Sequence, residues 1–540
     1  MAFWELDSIK AAVGGTWLAR PAASTTTPAG TLAGTLATIP AARLEGCATD
    51  TRALKPGQVY VAIRGDRFDG NTFVAQAAAA GSPLAIIDDP KALPTPLPAG
   101  IAVLHVLDAS LALLRLAGAY RKTLEGTRVI GVTGSNGKTT TTRLIQAVLS
   151  RTLRGTASIK SYNNRVGVPI TILGAKRGDQ FLICEVGTNA LGEIAELAAV
   201  VQPDIVVVTS IGREHLEGLG SIRGAVSEAV ALVNAVRPGG LVVMNADVPL
   251  LEEAVAPLSG ATSGVASKGS NAAVAPRFQV IRFGFSSHAD LRITAVEPGL
   301  DHTRFAVNDR SWHTVPLIGR HNALNAAAAL AVARRLGVEP ADADAGLTTA
   351  RGAEMRLERS TIRGVHIIND AYNANPESML AALETFAALP TPEAPARKVL
   401  ILGDMLELGP AGPDAHREIG AAVANHRCFD LVLLVGPLSR YTADAIGDRA
   451  LHVETLDAPT ATRLAALLRP GDHVLLKGSR GMSLEQIIKV LDAHSSAANS
   501  LAANGSLGEV QIKSKPPTTY PTAPQAAPHS SSPTLAPPPA

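Results

Sequence analysis

The stretch Arg128-Val-Ile-Gly-Val-Thr-Gly-Ser-Asn-Gly-Lys-Thr-Thr140 decides the fold of this chain. Its apolar run, Val129 to Val132, is typical of a buried β-strand. The glycines that follow predict a loop, and Lys138 opens a helical pattern that runs to about Ser150. A strand, a glycine loop and a helix in this order predict a site for a nucleotide triphosphate.

The loop residues have the chemistry that phosphate groups require. Glycine allows the backbone N–H groups to turn towards phosphate oxygens, and the helix N-terminus adds a positive dipole end. Lys138 is expected to reach the β- and γ-phosphates, and the Thr139 hydroxyl is expected to hold Mg²⁺. The predicted nucleotide-binding residues are consecutive: Gly134, Ser135, Asn136, Gly137, Lys138, Thr139 and Thr140.

The loop departs from the standard phosphate-binding pattern at one position. That pattern has a glycine six residues before the lysine, and this chain has Val132 there and Gly131 one step earlier. An ordinary glycine turn between a strand and a helix is therefore the alternative interpretation. The Gly-Lys-Thr-Thr run at the junction of strand and helix favours the phosphate site.

Length and composition indicate a protein of about three domains, since the chain has 540 residues. The net charge of +2 provides no basic field of the kind that nucleic-acid-binding proteins have. The charged N-terminus argues against a signal peptide, and the lack of a long apolar run argues against a membrane span. Cys47, Cys184 and Cys428 are isolated in sequence, which indicates a reducing compartment. We therefore expect a cytoplasmic protein.

Residues 123–336 are predicted to form a central domain in which strands and helices alternate around a mostly parallel sheet. Glu185 ends one buried strand, and His215 follows another. Because ligands bind beyond the carboxyl ends of such strands, both residues are expected beside the phosphate loop as Mg²⁺ ligands. A surface ion pair for Glu185 and an ordinary polar environment for His215 are the alternatives.

The rest of the chain divides into three parts. Residues 1–122 predict a small α/β N-terminal domain, and residues 337–494 predict a C-terminal Rossmann-like domain with an open α/β sheet. No Gly-x-Gly-x-x-Gly follows the first strand of that third domain, so a dinucleotide site is not expected. Residues 495–540 are rich in Ala, Ser and Pro, and we predict that this tail is disordered.

Two further groups of candidate binding residues stand out. In the first domain they lie near predicted turns and suit a diphosphate or a carboxylate, with a solvated loop as the alternative. These residues are Asp50, Arg52, Arg67, Phe68 and Asp69. The second group, His321, Asn322 and Asn325, lies at a predicted helix start, where simple N-capping by Asn322 is the alternative to ligand binding.

Over about residues 45–490 the chain resembles the Mur ligases, the ATP-dependent amide ligases of peptidoglycan synthesis. That family shares the early glycine found here at Gly131. The other motifs of the resemblance are Asp50-Thr-Arg52, Gly65-Asp-Arg-Phe-Asp-Gly70, Asn163-Asn164, Glu185-Val-Gly-Thr-Asn189, His215-Leu-Glu-Gly218, Gly319-Arg-His-Asn322, Asp370-Ala-Tyr-Asn-Ala-Asn-Pro376, Leu402-Gly-Asp-Met-Leu-Glu-Leu-Gly409 and Lys477-Gly-Ser-Arg-Gly481. The motifs that begin at Asp370 and Leu402 are the most specific.

The resemblance implies a reaction as well as a fold. It implies that D-alanyl-D-alanine is joined to UDP-N-acetylmuramoyl-tripeptide through an acyl phosphate, with ATP and Mg²⁺ as cofactors. It implies no nucleic-acid or membrane partner, and we expect a monomer. A ligase for a different amine and a catalytically weak nucleotide-binding regulatory protein are the alternatives. The third residue of the tripeptide is left open.

The resemblance also implies residue roles. The catalytic residues that it implies are Lys138, Asn164 and His215, and we add Glu228, which compensates for a departure from the family described below. The metal ligands are Thr139, Glu185 and His215, and the additional ATP contacts are Asn322, Asn325 and Arg356. The substrate-binding residues are Asp50, Thr51, Arg52, Arg67, Phe68, Asp69, Asn373 and Asn375.

One departure from the family concerns a lysine that is normally carbamoylated and helps to position Mg²⁺. The alignment places Ala229 there, and no lysine occurs between Lys176 and Lys268. Either Glu228 supplies the carboxylate, or the site tolerates its absence, or activity is weak. We favour Glu228.

Overall fold

The structure is a computed structural model that describes residues 3–20, 44–65, 68–260, 276–390 and 396–501. Three sheets with packed helices follow one another along the chain, which confirms the predicted three-domain α/β class. Within these described residues, no helix combines the length and the apolar character that crossing a bilayer requires. Helices and strands are numbered below in chain order.

The N-terminal domain is built on a five-stranded sheet of order β1-β5-β4-β3-β2. Strands β2 to β5 are parallel, and β1 pairs antiparallel with β5. Its elements are α1 (Leu6–Val13), β1 (Thr16–Ala19), β2 (Cys47–Ala48), β3 (Val59–Val61), α2 (Val74–Ala79), β4 (Leu84–Ile87), β5 (Ala102–His105) and α3 (Ala109–Arg121). Every residue of β3 and β4 is buried, as continuous apolar runs predict for parallel strands covered on both faces.

The central domain holds a nine-stranded sheet of order β14-β13-β12-β11-β10-β9-β6-β8-β7. Pairing is parallel from β7 to β12, and β12, β13 and β14 form an antiparallel meander. The elements up to the fifth helix of the domain are β6 (Arg128–Thr133), α4 (Lys138–Leu149), β7 (Gly155–Ala157), α5 (Gly167–Leu173), β8 (Phe181–Glu185), α6 (Glu193–Val201), β9 (Ile205–Val208), α7 (Leu216–Leu219) and α8 (Ile222–Asn234). The remaining ones are β10 (Gly240–Asn245), α9 (Pro249–Val255), β11 (Phe278–Gly284), β12 (Leu291–Pro298), β13 (Thr303–Val307), β14 (Ser311–Val315), α10 (Arg320–Arg335) and α11 (Pro340–Thr349).

Alternate residues of the central strands belong to two cores, one on each face of the sheet. In β6, Val129 packs with the core that includes α3, whereas Ile130 packs with the core that includes α4 and α10. Helix α11 lies beyond the predicted boundary at 336, but its Leu347 belongs to this second core. This second core therefore includes residues on both sides of position 336.

The C-terminal domain is a six-stranded sheet of order β15-β16-β20-β17-β18-β19, with only β15 antiparallel. Its elements are β15 (Glu358–Ile362), β16 (Val365–Asp370), α12 (Pro376–Ala388), β17 (Lys398–Gly403), α13 (Gly412–Asn425), β18 (Leu431–Val435), α14 (Ser439–Ile446), β19 (Ala450–Val453), α15 (Ala458–Ala465), β20 (His473–Lys477) and α16 (Glu485–Leu501). Helix α16 continues past the predicted domain end at 494. The predicted disorder of the tail concerns mainly residues 502–540, which lie outside the described residues.

Candidate active site

The phosphate loop joins β6 to α4 through two glycines with positive φ, +127° at Gly134 and +84° at Gly137. A Cβ on Gly134 would lie 2.4 Å from Thr209 Oγ1, and a Cβ on Gly137 would lie 2.3 Å from Asn325 Oδ1. Both positions therefore need glycine for conformation and for space. The loop is also attached to the segment after β9, because the Ser135 amide donates to the carbonyl of Ser210 at 2.9 Å.

Lys138 folds back on its own loop. Its ammonium donates to the carbonyl oxygens of Gly134 at 2.6 Å and Ser135 at 3.0 Å. It also donates to Glu214 Oε2 at 3.2 Å. An ammonium has three N–H donors, so these contacts use all of them. Phosphate oxygens have to replace some of these acceptors before Lys138 can bind a nucleotide.

Glu214 is the main site residue that sequence reasoning missed. Besides Lys138, its carboxylate faces His215 Nε2 at 3.4 Å and accepts from Asn373 Nδ2 at 3.3 Å. Burial opposes its charge, but Lys138 and His215 hold the pKa of Glu214 below its usual value. The sequence contains one indication of this role. Glu214 directly precedes His215, in a loop that is expected beside the phosphate loop.

Glu185 is buried beneath the phosphate loop at the end of β8. Its Oε1 accepts from Thr139 Oγ1 at 3.1 Å and from Asn163 Nδ2 at 2.9 Å. Its Oε2 is buried and has no hydrogen-bond partner among the described residues. Burial raises the pKa of Glu185, although Arg356 and Lys138 favour the charged form. The site therefore offers a buried carboxylate oxygen with an open bonding position.

His215 lies between two carboxylates in a left-handed conformation, with φ of +50°. Its Nδ1 contacts Glu407 of the C-terminal domain, and its Nε2 faces Glu214. Burial opposes protonation, but Glu214 and Glu407 together raise the pKa of His215 above its ordinary value. Neither ring nitrogen therefore faces an open position, and a role for His215 as a metal ligand requires the ring to leave Glu407.

Asn322 and Asn325 lie in the first two turns of α10 and face the phosphate loop. Asn325 Oδ1 accepts from Thr141 Oγ1 at 3.1 Å, and its Nδ2 donates to Asn322 Oδ1 at 3.0 Å. Asn322 Nδ2 donates backwards to the carbonyl of Ile318 at 2.8 Å. Gly319 is the N-cap residue of α10, so Asn322 does not cap the helix and the simple capping alternative is wrong.

The side chains of Asn164 and Glu228 accept hydrogen bonds from the first backbone amides of two helices. Asn164 Oδ1 accepts from the amide of Gly167, the first residue of α5, at 2.9 Å. Glu228 Oε1 accepts from the amide of Gly192 at 2.7 Å, and its Oε2 accepts from the amide of Ile194 at 2.9 Å. Glu228 is 4% exposed and thus holds the start of α6 from within the core.

The C-terminal domain contributes asparagines that face the phosphate loop. Asn375 exchanges amide hydrogen bonds with Asn136, at 2.9 and 3.3 Å. Asn375 Oδ1 also accepts from the Ser378 amide at 2.8 Å and so caps α12. The guanidinium of Arg356 stacks on Tyr372, with its carbon 4.4 Å from the ring centroid.

Lys138, Glu214, His215 and the asparagines described above line one cleft of about 720 Å³ between the central and C-terminal domains, whereas Thr139, Glu185 and Glu228 are not among its lining residues. A cleft of this size suits a small-molecule substrate. The predicted ATP-binding residues that line it are Ser135, Asn136, Gly137, Lys138, Thr140, Asn322, Asn325 and Arg356. The predicted substrate residues Asn373 and Asn375 also line it, whereas none of the lining residues comes from the N-terminal domain.

The predicted substrate residues of the N-terminal domain lie in loops of that domain and do not line the cleft. Asp50 pairs with Arg52 at 2.7 Å, and Asp69 accepts from the Asn71 side chain at 2.7 Å. Thr51 Oγ1 donates to Gln76 at 3.3 Å, and Phe68 is 71% exposed. Arg67 lies outside the described residues.

Comparison with known families gives three consecutive matches. The Mur ligase family catalytic domain matches residues 43–121, and the Mur ligase middle domain matches residues 132–333. The Mur ligase glutamate ligase domain matches residues 355–480.

Curated relatives carry the name UDP-N-acetylmuramoyl-tripeptide–D-alanyl-D-alanine ligase. The Bacillus subtilis protein is 37% identical, covering 83% of this chain and 93% of its own length. The Escherichia coli protein is 30% identical, covering 83% of this chain and 94% of its own. Among solved structures, MurF from Acinetobacter baumannii has a TM-score of 0.73 at 27% identity, covering 90% of this chain and 98% of its own. The Thermotoga maritima MurF ligase in complex with ADP has the same fold, with a TM-score of 0.68 at 24% identity, covering 84% and 98%.

Proposed function

Because this chain belongs to the Mur ligase family, we propose that it joins D-alanyl-D-alanine to UDP-N-acetylmuramoyl-tripeptide with ATP as the energy source. The reaction makes a peptidoglycan precursor. The observation that carries the proposal is the cleft in which Lys138 and its loop face Asn373 and Asn375 across the domain boundary. A ligase needs this arrangement, because the nucleotide and the incoming amine have to meet at one carboxyl group.

Thr139 and Glu185 are suited to hold Mg²⁺. The unpartnered Glu185 oxygen lies in a buried site beside a threonine hydroxyl, and Mg²⁺ prefers one or two such ligands together with phosphate oxygens. His215 would complete the set after its release from Glu407. When bound, Mg²⁺ neutralises phosphate charge during transfer.

The proposed chemistry has two steps. A carboxylate is a poor acyl donor, so the terminal carboxylate of the tripeptide first attacks the γ-phosphorus of ATP, and ADP leaves. The dipeptide amine then attacks the acyl phosphate carbon, loses a proton and expels inorganic phosphate. Lys138 and the loop amides stabilise phosphate charge in the first step, so positioning and electrostatics supply most of the rate.

The C-terminal domain brings the second substrate. Asn373 and Asn375 offer amide groups to the dipeptide at the cleft, and Asn164 faces the same space. Arg356 reaches the nucleotide with a guanidinium whose Nε has no partner among the described residues. Stacking on Tyr372 holds that guanidinium in place.

The N-terminal domain is proposed to bind the UDP end of the substrate through the loop residues around Asp50 and Asp69. The enzyme is proposed to act as a cytoplasmic monomer without a nucleic-acid or membrane partner.

Glu228 is proposed to replace the family's carbamoylated lysine as the negative charge beside Ala229. Its two hydrogen bonds to the start of α6 place that charge next to the loop that carries Thr188.

Phosphate release by the full-length protein tests the proposal. Release is expected only with ATP, Mg²⁺, UDP-N-acetylmuramoyl-tripeptide and D-alanyl-D-alanine together. Lys138→Ala should lower kcat/KM by roughly a hundredfold or more, as loss of a preorganised charge contact does. Lys122→Ala is the matched control, because Lys122 is exposed outside the cleft.

A panel of dipeptides and amino acids in the same assay decides between amines. Preference for another amine would assign the chain to a different ligation. Phosphate release that needs neither substrate, or no release under any condition, would reject the ligase proposal and favour the nucleotide-binding regulatory alternative.

A further inference from the structure

Arg213 joins the central domain to two helices of the C-terminal domain. Its backbone amide donates to Glu377 Oε2 at 3.0 Å, and its Nε donates to Glu377 Oε1 at 2.8 Å. The two terminal nitrogens donate to both oxygens of Glu418, at 2.6 and 3.1 Å. Arg213 follows β9, whereas Glu377 lies in the first turn of α12 and Glu418 lies in α13. One side chain therefore holds two helices of the other domain.

The geometry of this contact is built into the backbone. A Cβ on Gly212 would lie 2.9 Å from Glu377 Oε2, so glycine leaves the room that this carboxylate occupies. The two-pronged pairing with Glu418 is the geometry in which arginine binds carboxylates most strongly. The hydrogen bonds to Glu418 raise the pKa of Arg213, and those to Arg213 lower the pKa of Glu418.

The contact lies next to residues that line the cleft. Arg213 itself does not line the cleft, but the next residue, Glu214, contacts Lys138 and Asn373. Glu377 follows Asn375 by two positions, and Asn375 pairs with Asn136 of the phosphate loop. The ion pairs of Arg213 therefore set where the start of α12 lies relative to the phosphate loop.

We propose that Arg213 is a positioning residue that clamps the C-terminal domain over the phosphate loop through Glu377 and Glu418. The clamp rests on the proposed function in one respect. The step that it should accelerate is the attack of the dipeptide amine on the activated carboxyl group. Nucleotide binding rests mainly on the phosphate loop and α10 of the central domain, with Arg356 as the ATP contact proposed from the C-terminal domain, so it should depend less on the clamp.

Kinetics of Arg213→Gln and Glu418→Gln test the positioning role. Each variant should lower kcat/KM for D-alanyl-D-alanine by roughly tenfold, in the range of coupling between sites. The Kd of ATP should change less than about twofold. The double variant should lose about as much as Arg213→Gln alone, since that substitution already removes the contact with Glu418. Arg304→Gln is the matched control, because its ion pair with Glu297 lies within the β12–β13 hairpin.

A distance measurement tests the clamp without reference to catalysis. Cys428 of the C-terminal domain is exposed and Cys47 and Cys184 are buried, so spin labels on Cys428 and on an introduced Arg310→Cys report the domain separation. Arg213→Gln and Glu418→Gln should broaden and lengthen the distance distribution, whereas Arg304→Gln should not.

The outcomes separate the two proposals. An unchanged distance distribution in both variants overturns the clamp, whatever the kinetics show. A changed distribution with kcat/KM for the dipeptide within twofold of the wild type overturns the positioning role. A wild-type protein without ligase activity rejects the proposed function, and the distance distributions then still decide whether Arg213 holds the domains together.

Discussion

At the residue scale, Glu185 is a buried carboxylate whose Oε2 lacks a partner among the described residues. Such a charge destabilises a fold unless a cation reaches it. Burial raises the pKa of Glu185, so the contribution of its protonated form to the free energy of unfolding is full below the ordinary carboxyl pKa and is lost as pH rises through the raised pKa. At neutral pH without Mg²⁺, Glu185→Gln should therefore raise the free energy of unfolding by about 1 kcal/mol. Urea unfolding measures this change.

The same substitution should remove the response to metal. Mg²⁺ with ATP should raise the Tm of the wild type and should hardly change that of Glu185→Gln, whose ligase activity should fall at least about tenfold. Glu253→Gln, at an exposed position outside the cleft, is the control for the loss of one negative charge. An equal Tm shift in Glu185→Gln and the wild type would exclude Glu185 as a metal ligand.

Residues that act through a sequence pattern were predictable, and residues that act through tertiary contacts were not. The Thr139 hydroxyl donates a hydrogen bond to Glu185. This proximity is expected of a threonine in the phosphate loop and an acidic residue at the end of a neighbouring strand. The Asn163-Asn164 motif does not predict the contact of the Asn163 amide with Glu185. Glu214 reaches Lys138 from a different loop, and no spacing in the chain predicts that contact.

At the scale of single elements, α6 depends on Glu228. The residue accepts hydrogen bonds from the amides of Gly192 and Ile194 at the helix start, where backbone donors have no partner within the helix. Glu228→Ala should lower the free energy of unfolding by about 1–2 kcal/mol, as the loss of a helix cap does. It should also reduce ligation at least about tenfold and raise the Mg²⁺ requirement, if its charge replaces the missing carbamate.

Glu228→Gln separates the two roles. The amide oxygen still accepts one hydrogen bond and the shape is kept, so most of the stability should return while the negative charge is absent. Ligation that stays low in Glu228→Gln supports the charge, measured as phosphate release across a Mg²⁺ titration. A ligation rate at the wild-type level in both variants would restrict Glu228 to capping α6.

Strands such as β9 could be predicted from sequence because they are apolar runs buried on both faces, and all of Ile205–Val208 is buried. The position of α11 could not. Its Leu347 packs in one core with Leu144 of α4, and no spacing in the sequence predicts that contact. Periodicity shows that a helix has an apolar face but not which core covers that face.

At the scale of the whole molecule, charged side chains connect the three domains at two junctions. Arg213 lies between the central and C-terminal domains. Arg121, at the end of α3, connects the N-terminal domain to the central one. Its Nε donates to the carbonyl of Val201 at 3.0 Å, and a terminal nitrogen donates to the carbonyl of Gln202 at 3.1 Å. Both acceptors lie at the C-terminus of α6, where a cation is favoured.

Arg121 is 2% exposed, and burial lowers its pKa, so its charge depends on these acceptors and on Asp204 at 3.6 Å. Arg121→Gln should leave the carbonyl oxygens of α6 unpaired and should lower the free energy of unfolding by about 2 kcal/mol or more. The substitution should weaken the interface between the two domains more than it weakens either domain. Calorimetry should therefore show the unfolding transition split in two. Arg115→Gln, at an exposed position of the same helix, should keep the wild-type transition. A single transition at the wild-type Tm in Arg121→Gln would show that apolar packing alone joins the two domains.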